Sequence, residues 1–160
     1  MNLPRLSVID APLLDATSAA ARTLPRLRRN HNFHPRDDFP CHRLLNAIEP
    51  GSYVAPHRHL DPFKDETMLL LRGRLGVIFF DDHGQIVQLV TLDGQQVMGI
   101  DIPHGCWHSV LALVPGTIFF EAKAGPYQAL SEQERAPWAP AEGAEQVPAY
   151  LATLRAGFGA

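Results

Sequence analysis

From residue 42 to residue 122 the chain is a run of short apolar stretches, each too brief for an ordinary helix: 42–48, 53–57, 67–72, 75–80, 86–92, 97–102, 107–113 and 117–122. Turn-forming clusters separate them, among them Glu49-Pro50-Gly51, Asp81-Asp82-His83-Gly84, Asp93-Gly94 and Pro115-Gly116. Stretches of this length between such punctuation read as β-strands. Eight strands with no helical pattern between them predict an all-β fold, a jelly roll closed as one barrel. The stretches 67–71 and 75–80 are apolar on both faces, so the outside of one sheet also needs cover. A homodimer or the terminal extensions would supply it.

The flanks read differently. Between Asp10 and Arg22, Leu13, Leu14, Thr17, Ala20 and Ala21 recur at helical spacing. Asp10 ahead of Ala11-Pro12 makes an N-cap with proline in the first turn. Residues 26–40 are rich in Arg, Asn and His without periodicity and are expected to form an ordered loop. After Gly125-Pro126-Tyr127 the composition turns to Pro, Ala and Glu around Trp138, as in an extension wrapped over a barrel. Val147, Leu151, Leu154 and Phe158 then share one face of a short final helix. The expected division is an N-terminal helix and loop at 1–40, a barrel at 41–127 and a C-terminal extension at 128–160.

The 160 residues fit a single domain, long enough to bury about two-thirds of the unfolded surface in one core. A formal charge of -3 gives no basic field for nucleic acid, which is not expected as a partner. The first 21 residues are interrupted by Arg5, Asp10 and Asp15 and lack the basic start and continuous apolar run of a secretion signal. No apolar run approaches the ~20 residues of a membrane span. A cytoplasmic location without membrane contact is therefore expected. There Cys41 and Cys106 stay reduced, and their spacing suggests neither a disulfide nor a zinc ribbon.

The chemistry concentrates in Gly51-Ser52-Tyr53-Val54-Ala55-Pro56-His57-Arg58-His59, followed by Glu66 and Gly73. Side chains two apart on a strand share a face, so His57 and His59 can converge on one point. Pro103-His104-Gly105-Cys106-Trp107-His108 brings a further histidine behind a Pro-x-Gly turn at the edge of an apolar strand. Imidazole suits zinc, copper, iron and nickel, and a carboxylate adds affinity for iron or manganese. His57, His59, Glu66 and His108 are thus the expected ligands of a divalent transition metal, Fe, Mn, Ni, Zn or Cu. Four ligands leave coordination positions open for water, dioxygen or a chelating small molecule, and several reactions use such a site.

These residues resemble the two cupin motifs. Gly51, His57, His59, Glu66 and Gly73 match the first, and Pro103, Gly105 and His108 match the second. Six residues separate His59 from Glu66 where the family has three or four, which reads as a loop insertion and makes Asp61 and Asp65 alternative carboxylates. Ala112 stands where the second motif ends in Asn. A closer resemblance runs through Leu27-Arg28-Arg29-Asn30-His31-Asn32, the His57 segment, Leu71-Arg72-Gly73-Arg74, Asp101-Ile102-Pro103, Glu121-Ala122-Lys123-Ala124-Gly125-Pro126-Tyr127 and Ala136-Pro137-Trp138-Ala139-Pro140. In these segments the chain is similar to WbuC-type cupin metalloproteins. That resemblance implies a metal-binding barrel and a link to bacterial surface-polysaccharide metabolism.

The leading expectation is a metal-binding cupin acting on a small polar, sugar-derived molecule. Its alternatives are a non-catalytic metal-dependent binding module, an iron-dependent dioxygenase, an isomerase or lyase, and a metal-free epimerase. Lys64 is a candidate substrate clamp or acid–base group, and Tyr53 a candidate cavity residue. Cys106 is expected to point inward, either beside the metal as a neighbour of its ligands or a redox-sensitive ligand, or as a small buried hydrophobe, and His104 to lie exposed in its turn. Arg28, Arg29, Asn30, His31, Asn32 and His34 could bind an anion over the barrel mouth or form a solvated loop. Glu121 and Lys123 could pair inside the barrel or lie outside it.

Overall fold

A computed structural model describes residues 6–159. Helix α1 (Ala11–Thr23) precedes eight strands: β1 (Arg28–Asn32), β2 (Cys41–Ile48), β3 (Glu66–Arg72), β4 (Leu75–Phe80), β5 (Ile86–Leu92), β6 (Gly99–Ile102), β7 (Trp107–Ala112) and β8 (Thr117–Ala124). A short 3-10 turn (Glu132–Glu134) and helix α2 (Val147–Ala156) follow. The strands form two antiparallel sheets, ordered β1-β2-β8-β3-β6 and β5-β4-β7. Facing each other across one core, they make the all-β jelly roll expected from the apolar runs.

Period-two alternation decides which residues enter the barrel. Ile48, Met68, Leu75, Val77, Val110, Ala112 and Phe119 point inward and pack together between the sheets. The alternate residues of β4 and β7, Ile78, Phe80, Trp107 and Leu111, point outward under Leu151 and Leu154 of α2 and the partly buried Trp138. The C-terminal extension therefore covers the small sheet, which is why β4 is apolar on both faces. Helix α1 covers the large sheet through Ala21 against Leu45, Ala47 and Ile118. Asp10 caps it as expected, its Oδ1 accepting from Leu13 N at 3.0 Å. The outer face of β3 keeps Leu69 and Leu71 45% and 41% exposed.

Two elements differ from the sequence reading. The expected loop at 26–40 contains β1, an edge strand whose backbone pairs with β2 from Arg28↔Ile48 to Asn32↔Leu44. Its side chains give no apolar alternation because Arg28, Asn30 and Asn32 line a polar cavity. Conversely, 53–57 is not a ladder strand. Pro56 lacks an N–H to donate, and only His57 bridges, to His108 and to Arg135. The last two expected strands before β7 and β8 are also trimmed, 97–102 to β6 and 107–113 to Ala112.

Candidate metal centre

The bridge at His57 builds the site. His57 N donates to His108 O at 3.0 Å and His108 N to His57 O at 2.9 Å, so both side chains leave the same face of the bridge, into the barrel. On the other side of this segment Arg58 N donates to Glu134 O and Ala136 N to Pro56 O. Two residues on, His59 O accepts from Gly105 N at 2.6 Å. The motif turn thus fastens the His-x-His segment to the base of β7. Gly105 adopts φ +81, open to glycine at little cost. Glu66 opens β3 facing inward, directly across the β3–β8 ladder from Lys123. Gly73 closes β3 into β4 with φ +82, and a Cβ there would sit 2.8 Å from Thr117 Cα.

His57, Glu66 and His108 offer ligand atoms that all lie within 4.8 Å of one another, so they could hold a metal ion. His59 joins through Glu66, with Nε2 3.0 Å from Oε1. Glu66 Oε2 lies 3.1 Å from His108 Nε2, and Oε1 accepts from Lys123 Nζ at 2.6 Å. Lys123 Nζ also lies 2.7 Å from Glu121 Oε1, while Glu121 Oε2 accepts from Asn46 Nδ2 at 2.8 Å. A polar row, Asn46, Glu121, Lys123 and Glu66, therefore crosses the inner face of the large sheet to the histidines.

Two backbone carbonyls orient the imidazoles. His57 Nδ1 lies 3.0 Å from Ala55 O and His108 Nδ1 lies 3.0 Å from Cys106 O. A carbonyl only accepts, so both Nδ1 atoms donate, and in the neutral ring Nε2 keeps a lone pair, the arrangement that outer partners impose on metal-binding histidines. For His108 that lone pair faces a carboxylate oxygen. At 3.1 Å that nitrogen and the carboxylate oxygen share either a second ring proton, donated to Glu66, or a cation in its place, and the donor set fits a cation.

Electrostatics agree with this fit. Burial, assisted by the nearby His108, pushes the His57 pKa down to about 3, so His57 is neutral around pH 7. It lies deep in the barrel yet borders both cavities, so solvent reaches its ring. Burial opposes ionisation of Glu66, but hydrogen bonds from His108 and His59 and the charge of Lys123 outweigh it and hold the carboxyl well below its ordinary range. Burial likewise opposes the charge on Lys123, and Glu121 and Glu66 more than restore it.

The other expected residues fall as follows. Asp61 and Asp65 are not beside the histidines: Asp61 caps Phe63 N, and Asp65 holds exposed His104 through its ring and backbone nitrogens, both at 2.8 Å. The loop insertion turns these carboxylates outward and leaves Glu66 inward. Tyr53 does not reach the cavity. It is buried against Tyr150, its hydroxyl donating to Pro140 O at 2.8 Å, because the 53–57 segment runs under the C-terminal extension. Cys106 packs half-buried against the inner core as a small hydrophobe. Lys64 is buried rather than exposed. Glu121 and Lys123 pair inside the barrel. The sequence marks Lys123 only as a partner of Glu121 and does not single out Asn46, although both sit at inward-alternating positions on their strands.

The site lies between two cavities. The larger, about 780 Å³, is lined at its far end by Arg26, Arg28, Arg29, Asn30, Asn32 and His34. Arg26 and Arg28 converge there on Glu142 of the C-terminal extension. The smaller, about 210 Å³, is bordered by His57, His59, Lys64 and Lys123.

Comparison with known proteins places the chain. The family model described as a domain of unknown function, DUF6016, matches residues 9–92. The chain belongs to the DUF6016 family. No curated protein matches this member of the family. Among solved structures, a conserved protein of unknown function, SPY1581 from Streptococcus pyogenes, superposes with TM-score 0.51 at 11% identity, over 80% of this chain and 95% of that one. The 11S allergen of Cocos nucifera gives TM-score 0.51 at 19% identity, over 67% of this chain and 30% of the allergen. Procruciferin, an 11S globulin of Brassica napus, gives 0.50 at 18%, over 64% and 26%. The DUF6016 chain thus spans less than a third of either seed globulin. At these identities the likeness speaks for the fold alone, a jelly roll of two antiparallel sheets.

Proposed function

We propose that this barrel is a metal-dependent site for a small polar molecule, with His57, His59, Glu66 and His108 holding a divalent transition metal. The observation that carries the proposal is the approach of His108 Nε2 to Glu66 Oε2. A ring whose Nδ1–H is committed to Cys106 O turns its lone pair on a buried carboxylate, and a cation between them makes that contact attractive. A bound ion of this kind supplies Lewis acidity toward a ligand oxygen. Neutral His57 presents a further lone pair to the same space. The charge of Lys123 favours the ionised form of that carboxylate.

The larger cavity suits a hydroxylated ligand, because Asn30, Asn32 and Asn46 offer both donors and acceptors along its wall. With the resemblance to WbuC-type proteins, this supports a sugar-derived molecule of surface-polysaccharide metabolism. We place the protein in the cytoplasm as a homodimer, in which a second copy would cover Leu69 and Leu71; sedimentation velocity reads that state directly. The test of the metal reading is elemental analysis of untagged protein purified without chelators. Stoichiometric transition metal is expected, falling at least tenfold in His108→Ala. Protein that takes up no transition metal, or a variant that takes up as much as the parent, overturns it.

A further inference from the structure

The chain contains two lysines, Lys64 and Lys123, and both lie in the wall of the 210 Å³ cavity beside His57 and His59. Lys123 is neutralised by Glu66 and Glu121. Lys64 is not. It is 7% exposed, and its Nζ has one partner, the neutral carbonyl of Pro126 at 3.3 Å, beyond the usual length of an N–H···O bond. Among the described residues no carboxylate pairs with it. An ammonium carries three donors, and burying its charge without an anion is costly enough that proteins rarely do so. Two of the three donors at Lys64 have no protein acceptor. The residue is held in place from its backbone, where Lys64 N donates to Asp61 O at 3.0 Å within the loop insertion.

We propose that Lys64 forms an anion subsite beside the histidine group, taking the carboxylate or phosphate end of a small-molecule ligand. This rests on the metal-dependent reading above and gives its ligand a charge. The cavity volume equals about seven waters at ~30 Å³ each. It admits an anionic group with a few attached atoms and leaves the remainder of a larger molecule to the 780 Å³ cavity. His57 and Lys123 border both cavities, so a ligand anchored at Lys64 lies against the histidine group. A neutral sugar would leave the buried ammonium unmatched; a sugar acid or sugar phosphate would match it.

Two lysines in the whole chain make a direct test possible. Protein labelled with 13C at lysine Cε gives two side-chain signals, and Lys64→Arg identifies which belongs to Lys64. Glycolate and inorganic phosphate are titrated at fixed pH into zinc-supplemented protein, with sodium chloride as the ionic-strength control. The Lys64 signal is expected to move saturably with glycolate or with phosphate, and that choice names the anion, while Lys64→Met retains the parent's zinc content. A Lys64 signal that follows both anions only as it follows chloride overturns the subsite, as does loss of zinc in Lys64→Met. The two readings fail separately. Zinc uptake with a stationary Lys64 removes the anion subsite alone, and a saturable Lys64 shift in protein that binds no zinc removes the metal alone.

Discussion

Glu66 is the hub of the site, its two oxygens meeting His59, His108 and Lys123 at once. Removing one partner from a buried charge cluster costs more than the pair's net worth, since the remaining charge is stranded. Lys123→Met leaves Glu66 and Glu121 facing each other without their cation. It is expected to lower stability by about 3–5 kcal/mol in urea unfolding, and added divalent metal should recover more stability in the variant than in the parent, by binding the folded state only. Equal metal response in both proteins would contradict the charge accounting. A second residue, beside the His57–His59 segment, gives a pH signature of its own. Glu134 accepts from the backbone nitrogens of Ser131 and Leu60, which lower its pKa from 4.5 to about 2 and tie the His59 segment to the extension. Its folded pKa is depressed, so its contribution is complete above about pH 4.5 and is lost as pH falls toward 2. Thermal unfolding of Glu134→Gln should therefore lie below the parent at pH 6 and converge with it near pH 2; a constant offset would rule out this linkage.

At the level of elements, α2 is held by the face that sequence spacing identified. Leu154 is 2% exposed against the outside of the small sheet, and Leu154→Ala should cost about 2–5 kcal/mol by chemical denaturation. A cost under about 1 kcal/mol would mean that the extension does not pack there. Strands β2, β3, β4, β5, β7 and β8 were legible because each alternates or runs apolar between turns. Strand β1 was not, since Arg28, Asn30 and Asn32 line the larger cavity rather than the core, and a strand of polar residues looks like loop. The segment 53–57 was misread for the opposite reason: it is apolar, but Pro56 breaks the ladder and a single bridge at His57 does the positioning. That His57, His59, Glu66 and His108 come together was visible in the motif spacing, although His57 and His59 sit on a bridged segment and not on a ladder strand. What spacing could not give was which partners hold the ligands, the carbonyl of Cys106 behind His108 and the ammonium of Lys123 across the ladder from Glu66.

Over the whole molecule, each sheet spends one face on the barrel interior and the other on a terminal helix. The β1-β2-β8 part of the large sheet lies under α1, and the small sheet lies under α2 and Trp138. The interior is then divided, apolar where Ile48, Met68, Val77 and Val110 meet and polar from Asn46 to Glu66. The account depends on that polar end being built around a cation. The direct measurement is an anomalous-difference map from crystals of untagged protein grown with a transition metal. It should show a peak among His57, His59, Glu66 and His108. A map with no peak among those side chains, under the same metal concentration, would contradict it.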